Sequence, residues 1–424
     1  MTDPLVVLLD DAIAGTLSRS ATGRLHFEYH SGYLRLNNAT PLSVSMRVQV
    51  RSHPDSVVTP WLWGLLPDNE AVLRRWAREF TASASSPFSM LRTPIGHDCP
   101  GAVRFAAPDQ VETLLKSKGR VTWLSEEDVA RRVRELKEDS TAWLGRSFTG
   151  QFSLAGAQAK TALLYQGGRW GVPSGRLATT HILKPAVAGL DDHDLNEHLC
   201  LDAAHRAGLI VARTRVATFG KESAIVVERY DRHESSGRLR RVHQEDLCQA
   251  LGIRPSMKYQ SDGGPGPRDI VELFRRVMSS KAADDAIERF VDALIWNWLI
   301  VGTDAHAKNY SLLLAGEEVR MAPLYDVASA LPYSAHERKL RFAMRLGRDY
   351  RVSPVRNPWR KVAVELGIDA EATVERAREL ASRMPDAFAE AAASRAVAKL
   401  KRPLPGRLVD LVAARSIRCL GVLG

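Results

Sequence analysis

In the stretch Gly302-Thr303-Asp304-Ala305-His306-Ala307-Lys308-Asn309-Tyr310-Ser311, Asp304 and Asn309 stand five residues apart. That is the spacing of the base aspartate and the metal-binding asparagine in the HRDxxxxN loop of phosphoryl-transfer enzymes. The chemistry needs a carboxylate that orients an incoming hydroxyl and accepts its proton. It also needs a neutral oxygen ligand that holds Mg²⁺ without crowding more negative charge onto the phosphates. Lys308, between the two, can neutralise a transferring phosphoryl group. His306 reads as a hydrogen-bonding organiser of the loop on the nucleotide side rather than as the base. Seventeen residues beyond Asn309, Asp326 in Tyr325-Asp326-Val327-Ala328-Ser329-Ala330 can be the second magnesium ligand, although neither Phe nor Gly flanks it.

Two clusters upstream suit the nucleotide that such a loop requires. In Ser153-Leu154-Ala155-Gly156-Ala157-Gln158-Ala159-Lys160-Thr161, the small residues Ala155, Gly156 and Ala157 let backbone N–H groups approach phosphates. Lys184 ends a strand and is closed by Pro185, in the position of a lysine that spans the α- and β-phosphates of ATP. Its carboxylate mate is Glu197, thirteen residues on in a helix, or Glu228 in a neighbouring strand. Val226-Val227-Glu228-Arg229-Tyr230 is also a candidate hinge whose backbone reads the adenine edge. Taken singly, each cluster has an ordinary reading: a tight turn, an exposed lysine, an edge strand, a loop cap. Their common order is that of a kinase.

The elements that must position these groups are legible in outline. Leu5–Leu9 and the alternating Leu25–Tyr29 read as strands. Trp61–Phe80 reads as helical with a turn and cap at Pro67-Asp68-Asn69, and Ser125 caps a helix bearing Val129, Val133 and Leu136 on one face. The polar run 137–141 then marks the end of a first domain. Residues 150–230 alternate strands with one helix at 192–208. A helix is expected over Gln244–Leu251, and 255–268, rich in Gly, Pro and Ser, reads as a flexible loop. Helices follow near 268–280, 283–300, 357–366, 370–383, 385–400 and 407–417. The expected fold class is α+β and two-lobed, protein-kinase-like. Its parts are a strand-rich N-terminal subdomain at 1–140, an ATP-binding region at 150–235, and a helical catalytic lobe at 236–424.

Composition narrows the class further. The chain has 424 residues, 45% hydrophobic and 25% charged, enough for two or three domains with sizeable cores. Its formal charge of +10 is concentrated toward the end, where residues 395–424 carry Arg395, Lys399, Lys401, Arg402, Arg407, Arg415 and Arg418 against Asp410 alone. Such a run can dock on phosphates, but it lacks interleaved aromatics and any base-reading motif. Cys99, Cys200, Cys248 and Cys419 show no metal-ligand spacing and argue against structural zinc and a disulfide framework. The first residues lack a basic n-region, and Phe290–Val301 is too short to span a bilayer, so a cytoplasmic location with no membrane partner is expected.

These motifs resemble a known family, the HipA-type toxin kinases of bacterial type II toxin–antitoxin systems. The resemblance runs along nearly the whole chain: LLPDN at 65–69, GHDCPGA at 96–102, SLAGAQAKTALL, HILKP, NEHLC, VVERYDR, HQEDLCQALG, GTDAHAKNYS and PLYDVASA. It implies that Lys184 grips ATP, that Asp304 is catalytic, that Asn309 and Asp326 hold magnesium, and that Glu228 and Tyr230 lie near the adenine. It further implies autophosphorylation at Ser153, which pushes the phosphate loop outward and switches the enzyme off. The implied partners are a small helix-turn-helix antitoxin (HipB-like), operator DNA reached through that complex, and an aminoacyl-tRNA synthetase as substrate, whose phosphorylation halts translation and promotes persistence. Two other readings keep the same acids: a small-molecule kinase, and a catalytically inactive DNA-binding co-repressor.

Overall fold

The computed structural model describes residues 4–147, 150–235, 237–334, 337–347 and 349–424, with the side chain of Arg338 excepted. The N-terminal domain is built on a five-stranded antiparallel sheet, in the order Ser52–Pro54, Leu25–Tyr29, Ala12–Arg19, Leu5–Leu9, Val103–Ala106. Period-two patterning explains why it has one wet face: Leu25, Phe27 and Tyr29 are buried while His26 and Glu28 are not. Helices Asp55–Gly64 and Glu70–Glu79 cover the dry face with Val58, Trp61, Leu62, Val72 and Trp76. Between them, Leu65-Leu66-Pro67-Asp68 turns the chain, and Asn69 caps the second helix by accepting from Ala71 N at 2.9 Å.

The second sheet has six strands, in the order Thr214–Phe219, Glu222–Glu228, His181–Lys184, Thr161–Gln166, Arg169–Ser174, Arg120–Leu124. Its edge strand and the following helix Glu126–Glu138 correct the boundary expected at 137–141. The helix has the predicted cap, Ser125 Oγ accepting from Asp128 N at 3.1 Å. However, its apolar face, Val129, Ala130 and Val133, packs with Leu183, Phe219, Ala224 and Val226 of the second sheet. Most of this helix therefore sits with the second sheet, although Leu136 joins the N-terminal core, and the short helix Val111–Lys116 still packs on the first sheet through Leu114. Helix His193–Arg206 covers the other side of this sheet and is buried on almost every face.

The C-terminal lobe surrounds helix Ser280–Ile300, whose second half is buried all round from Phe290 to Ile300 except at Asp292. Helices Pro267–Val277, Trp359–Leu366, Ala370–Ala393 and Leu404–Leu423 pack about it in the largest core cluster. The helix expected over Gln244–Leu251 is instead a strand, His243–Asp246, followed by a single turn Leu247–Ala250; the strand joins Ser311–Ala315 and Glu318–Met321 in a small sheet. Residues 255–268 hold two 3₁₀ turns, Pro255–Met257 and Gln260–Asp262. Nor does Pro385 end a helix. Ala370–Ala393 runs through it, because the carbonyl of Ala381 that the proline cannot serve accepts from Ser416 Oγ at 2.6 Å. Among the described residues, no helix is long and apolar enough to cross a membrane, and all four cysteines are buried and free.

The N-terminal domain is joined to the second sheet by buried charges beside an apolar seam, in which Phe152, Leu154 and Ala162 pack into the N-terminal core. Asp98 of its Gly96–Gly101 loop is buried. One carboxylate oxygen accepts from Thr179 N and Oγ1 at 2.9 and 2.7 Å, and the other from Arg232 at 2.9 Å and Arg241 at 3.4 Å. Arg229 is forked onto Asp231 at 3.0 and 2.8 Å and reaches Cys99 O at 3.0 Å. Burial pushes the Asp98 carboxyl up, but the guanidinium groups outweigh burial and hold it far below the usual carboxylate range. Asp98→Ala strips a buried cluster of one of its two anions. It is expected to lower stability by about 3–5 kcal/mol, read as a lower urea midpoint; an unchanged midpoint would show that these charges are solvated.

Candidate active site

The two lobes and the N-terminal domain enclose a cleft of about 650 Å³, large enough for a nucleotide, and nearly every residue singled out in the sequence lines it. At its centre is Lys184. Strand pairing sets Lys184 opposite Ile225, and its ammonium meets Glu197 Oε1 and Asp326 Oδ1, each at 2.8 Å. The choice left open between Glu197 and Glu228 is thereby resolved: Glu228 lies opposite His181, at the exposed end of its strand. Burial would lower the Lys184 pKa, but Asp326 and Glu197 outweigh it and hold the ammonium charged above the usual lysine value. Asp326 is correspondingly held far below the usual carboxylate value, burial being overcome by Lys184 and then Lys160. Glu197, buried more deeply, is raised despite Lys184.

Asp326 has φ +58°, a left-handed conformation uncommon for a residue with a side chain. Its neighbours account for that conformation. Tyr325 donates to Lys308 O at 2.8 Å and pairs with Ser311 Oγ at 2.7 Å, while Ser329 N donates to Asn196 Oδ1 at 3.1 Å and Asn196 Nδ2 to Ser329 O at 2.7 Å. The segment on either side of Asp326 is thus pinned to Lys308 and Ser311 and to the Glu197 helix.

The loop Asp304–Asn309 closes on itself. Asn309 Nδ2 donates to Asp304 O at 2.7 Å, Asn309 N to His306 O at 2.9 Å, and His306 N to Asp304 O at 2.8 Å. Asn309 Oδ1 makes no hydrogen bond among the described residues, and Asn309 lines the same cleft as Asp326. The Asp304 side chain is 69% exposed at the cleft mouth, and its Oδ1 accepts from Tyr259 Oη at 2.6 Å. His306 is buried, with its ring edge-on to Tyr259 at 5.0 Å; burial lowers its pKa, in keeping with a structural imidazole. Lys308 differs from expectation. Its ammonium is buried and meets Asp68 at 3.2 Å and Asp246 at 3.3 Å, so its charge is already balanced within the protein.

On the nucleotide side, Gly156 has φ +97°, and a Cβ there would fall 2.6 Å from Lys160 Nζ, so only glycine fits. Lys160 Nζ in turn donates to Ala155 O at 2.7 Å and shapes the loop; burial, and next Lys184, lower its pKa to about 8. Ser153 is fully buried and donates to Leu65 O at 2.5 Å. At the other end, Tyr230 bonds Gln244 and packs 5.7 Å from Tyr325, and its N–H makes no hydrogen bond among the described residues. Glu228 lines the same cleft. Sequence reasoning missed Asp68, Lys160, Asp246, Lys258 and Tyr259 as site residues. The motif LLPDN was visible, but nothing in it says that Asp68 faces a loop 240 residues away.

Part of the basic C-terminal run is engaged by the fold, while Arg395, Lys399 and Lys401 are exposed. Arg402 pairs with Asp192 and Asp194, Arg407 donates to Pro332 O, buried Arg415 donates to Trp298 O and Val352 O, and Arg418 pairs with Glu337.

Comparison with known proteins agrees with this arrangement. Family models match at residues 152–388 (HipA-like C-terminal domain) and 5–106 (HipA N-terminal domain). A putative kinase of Sinorhizobium fredii, Y4mE, is 33% identical over 91% of this chain and 91% of its own length. The serine/threonine-protein kinase toxin HipA of Shewanella oneidensis is 29% identical over 90% and 88%. A chain in the solved Shewanella oneidensis complex of the toxin–antitoxin system HipA, HipB and its operator DNA superposes with a TM-score of 0.84 at 25% identity, covering 99% of this chain and 98% of that one. The chain belongs to the HipA-like serine/threonine-protein kinase toxin family.

Proposed function

We propose that this protein transfers the γ-phosphoryl group of ATP to a serine or threonine hydroxyl of another protein. The observation that carries the reading is the single cleft in which Lys184, tied to Glu197 and Asp326, faces the self-closed loop Asp304–Asn309. Lys184 orients the α- and β-phosphates, and the Ala155–Ala157 backbone lies over them. Asp304 accepts the proton of the acceptor hydroxyl as its oxygen bonds to the γ-phosphorus and the bond to ADP breaks. Asn309 Oδ1 and the Asp326 carboxylate suit Mg²⁺, a hard cation held by one or two protein oxygens plus phosphates. That ion would neutralise charge on the phosphates. The exposure of Asp304 at the cleft mouth favours a macromolecular acceptor over a small molecule enclosed in the pocket.

The same reading extends to biology through the family. The protein acts as the toxin of a toxin–antitoxin pair in the cytoplasm, its partner being a small helix-turn-helix antitoxin on operator DNA, and its target an aminoacyl-tRNA synthetase. The relative whose structure it resembles is described with HipB and operator DNA. Ser153 is the autophosphorylation site. A phosphoserine carries roughly −1.5 to −2 charges at neutral pH, and at this position it would face the carbonyl of Leu65, an acceptor with no proton to offer. The modified loop must therefore leave its seat, and ATP binding weakens.

Three outcomes test the reading. Asp304→Asn is expected to abolish transfer of label from γ-labelled ATP to a host lysate, while ATP affinity stays within roughly tenfold; transfer at the wild-type rate would remove Asp304 from the mechanism. Asp326→Ala is expected to lose the magnesium-dependent part of ATP binding in calorimetry, and equal titrations with and without magnesium would place the metal elsewhere. Incubation with ATP and magnesium is expected to add one phosphate at Ser153 by intact-mass and peptide spectra, absent in Asp304→Asn. An enzyme active on its target yet never modified at Ser153 would refute autoregulation alone.

A further inference from the structure

We infer that Asp68, which belongs to the N-terminal domain, is a positioning residue for phosphoryl transfer, one carboxylate setting both the base and the magnesium-binding asparagine. The inference rests on the kinase reading above. Asp68 Oδ2 lies 3.2 Å from Lys258 Nζ and Oδ1 lies 3.2 Å from Lys308 Nζ. Each of these lysines is the chain neighbour of a residue that shapes the site. Lys258 precedes Tyr259, whose hydroxyl donates to Asp304 Oδ1 at 2.6 Å. Lys308 precedes Asn309, whose amide donates to Asp304 O at 2.7 Å. The loop 255–268 and the catalytic loop are also stitched together by Ala307 N donating to Lys258 O at 3.4 Å, a long bond that leaves the ion pairs as the firmer tie.

Asp68 itself is held from behind. Its N–H donates to Gly156 O at 3.1 Å, Pro67 bridges to Gly156, and Ser153 Oγ donates to Leu65 O at 2.5 Å. The turn Leu65–Asp68 thus touches the phosphate loop with its backbone and the catalytic machinery with its carboxylate. The side chain is 10% exposed, so its ion pairs act in a poorly screened setting. Burial raises its pKa, but Lys308 and Lys258 outweigh burial and keep it below the usual value, so the tie stays charged at neutral pH. A tie of this kind affects the orientation of reacting groups more than nucleotide affinity, because none of the Asp68 contacts is to Lys184 or to the adenine wall.

The test uses full-length protein, γ-labelled ATP and a bacterial lysate as the acceptor pool. Asp68→Asn keeps the shape and the Gly156 contact and removes only the charge. It is expected to cut the transfer rate at saturating ATP by about 10- to 100-fold, with KM for ATP and calorimetric ATP binding nearly unchanged. Lys258→Met, at the cleft edge where no buried anion is left alone, is expected to lower the rate in the same way. The double variant Asp68→Asn/Lys258→Met is expected to be no slower than Asp68→Asn alone, since the ion pair of Lys258 is made to Asp68. A wild-type rate in Asp68→Asn or in Lys258→Met overturns the inference, as does a rate loss matched by an equal loss of ATP-competent protein. No transfer by the wild-type enzyme would instead overturn the kinase reading, and this inference with it.

Discussion

The buried ammonium of Lys184 is the constraint from which most of the site follows. Moving such an ion out of water costs several kcal/mol even after relaxation, and only close counter-charges offset that cost. Here there are two, and they come from separate parts of the chain, Glu197 on a helix and Asp326 on a segment of the other lobe. Satisfying one charge therefore fixes a strand, a helix and a loop in mutual register. The Asn196–Ser329 pair repeats the connection with neutral groups one residue from Glu197. A nucleotide entering this cleft meets a lysine already oriented, so the protein does not have to collapse around its ligand to build the site.

The parts of the site legible in the sequence were those whose meaning is local. Asp304 and Asn309 sit in one loop, and their spacing alone suggested the chemistry proposed for them. Lys184 was recognisable from a strand closed by proline. Its partner was not, because Glu197 and Glu228 are both well placed along the chain, and only strand register, with Glu228 opposite His181, separates them. Tyr259 and Asp68 were harder still. A phenol 45 residues from the aspartate it serves, within a stretch that looks like a featureless loop, leaves no periodic trace. The same limit applies to the fold. The helix after Ser125 announced itself by its cap and apolar face, yet a cap does not say which sheet the face will meet. The Pro385 helix shows the converse: a local breaker was overridden by one hydroxyl from a distant helix.

Charge also ties the N-terminal domain to the second sheet. Asp98 and Asp231 are shared among Arg229, Arg232 and Arg241 in a dry junction, where each ion is tolerable only because the others are present. The C-terminal arginines follow the same habit. Arg402 and Arg415 look like a free basic tail in the sequence but serve as internal counter-ions and carbonyl donors. Part of the formal charge of this run therefore lies inside the fold.

The junction at Asp98 also imposes a timetable on synthesis. Arg229, the first of the three guanidinium groups at Asp98, follows it by 131 residues. At roughly 5–20 residues per second, a ribosome needs about 7–30 s to supply it after Asp98 has been made. Through that interval the Gly96–Gly101 loop has no guanidinium to receive its carboxylate, and the nascent N-terminal domain keeps an unfinished edge. The growing chain thus stays incomplete at this edge until the second sheet emerges, and the cleft that the junction helps to enclose cannot close before then.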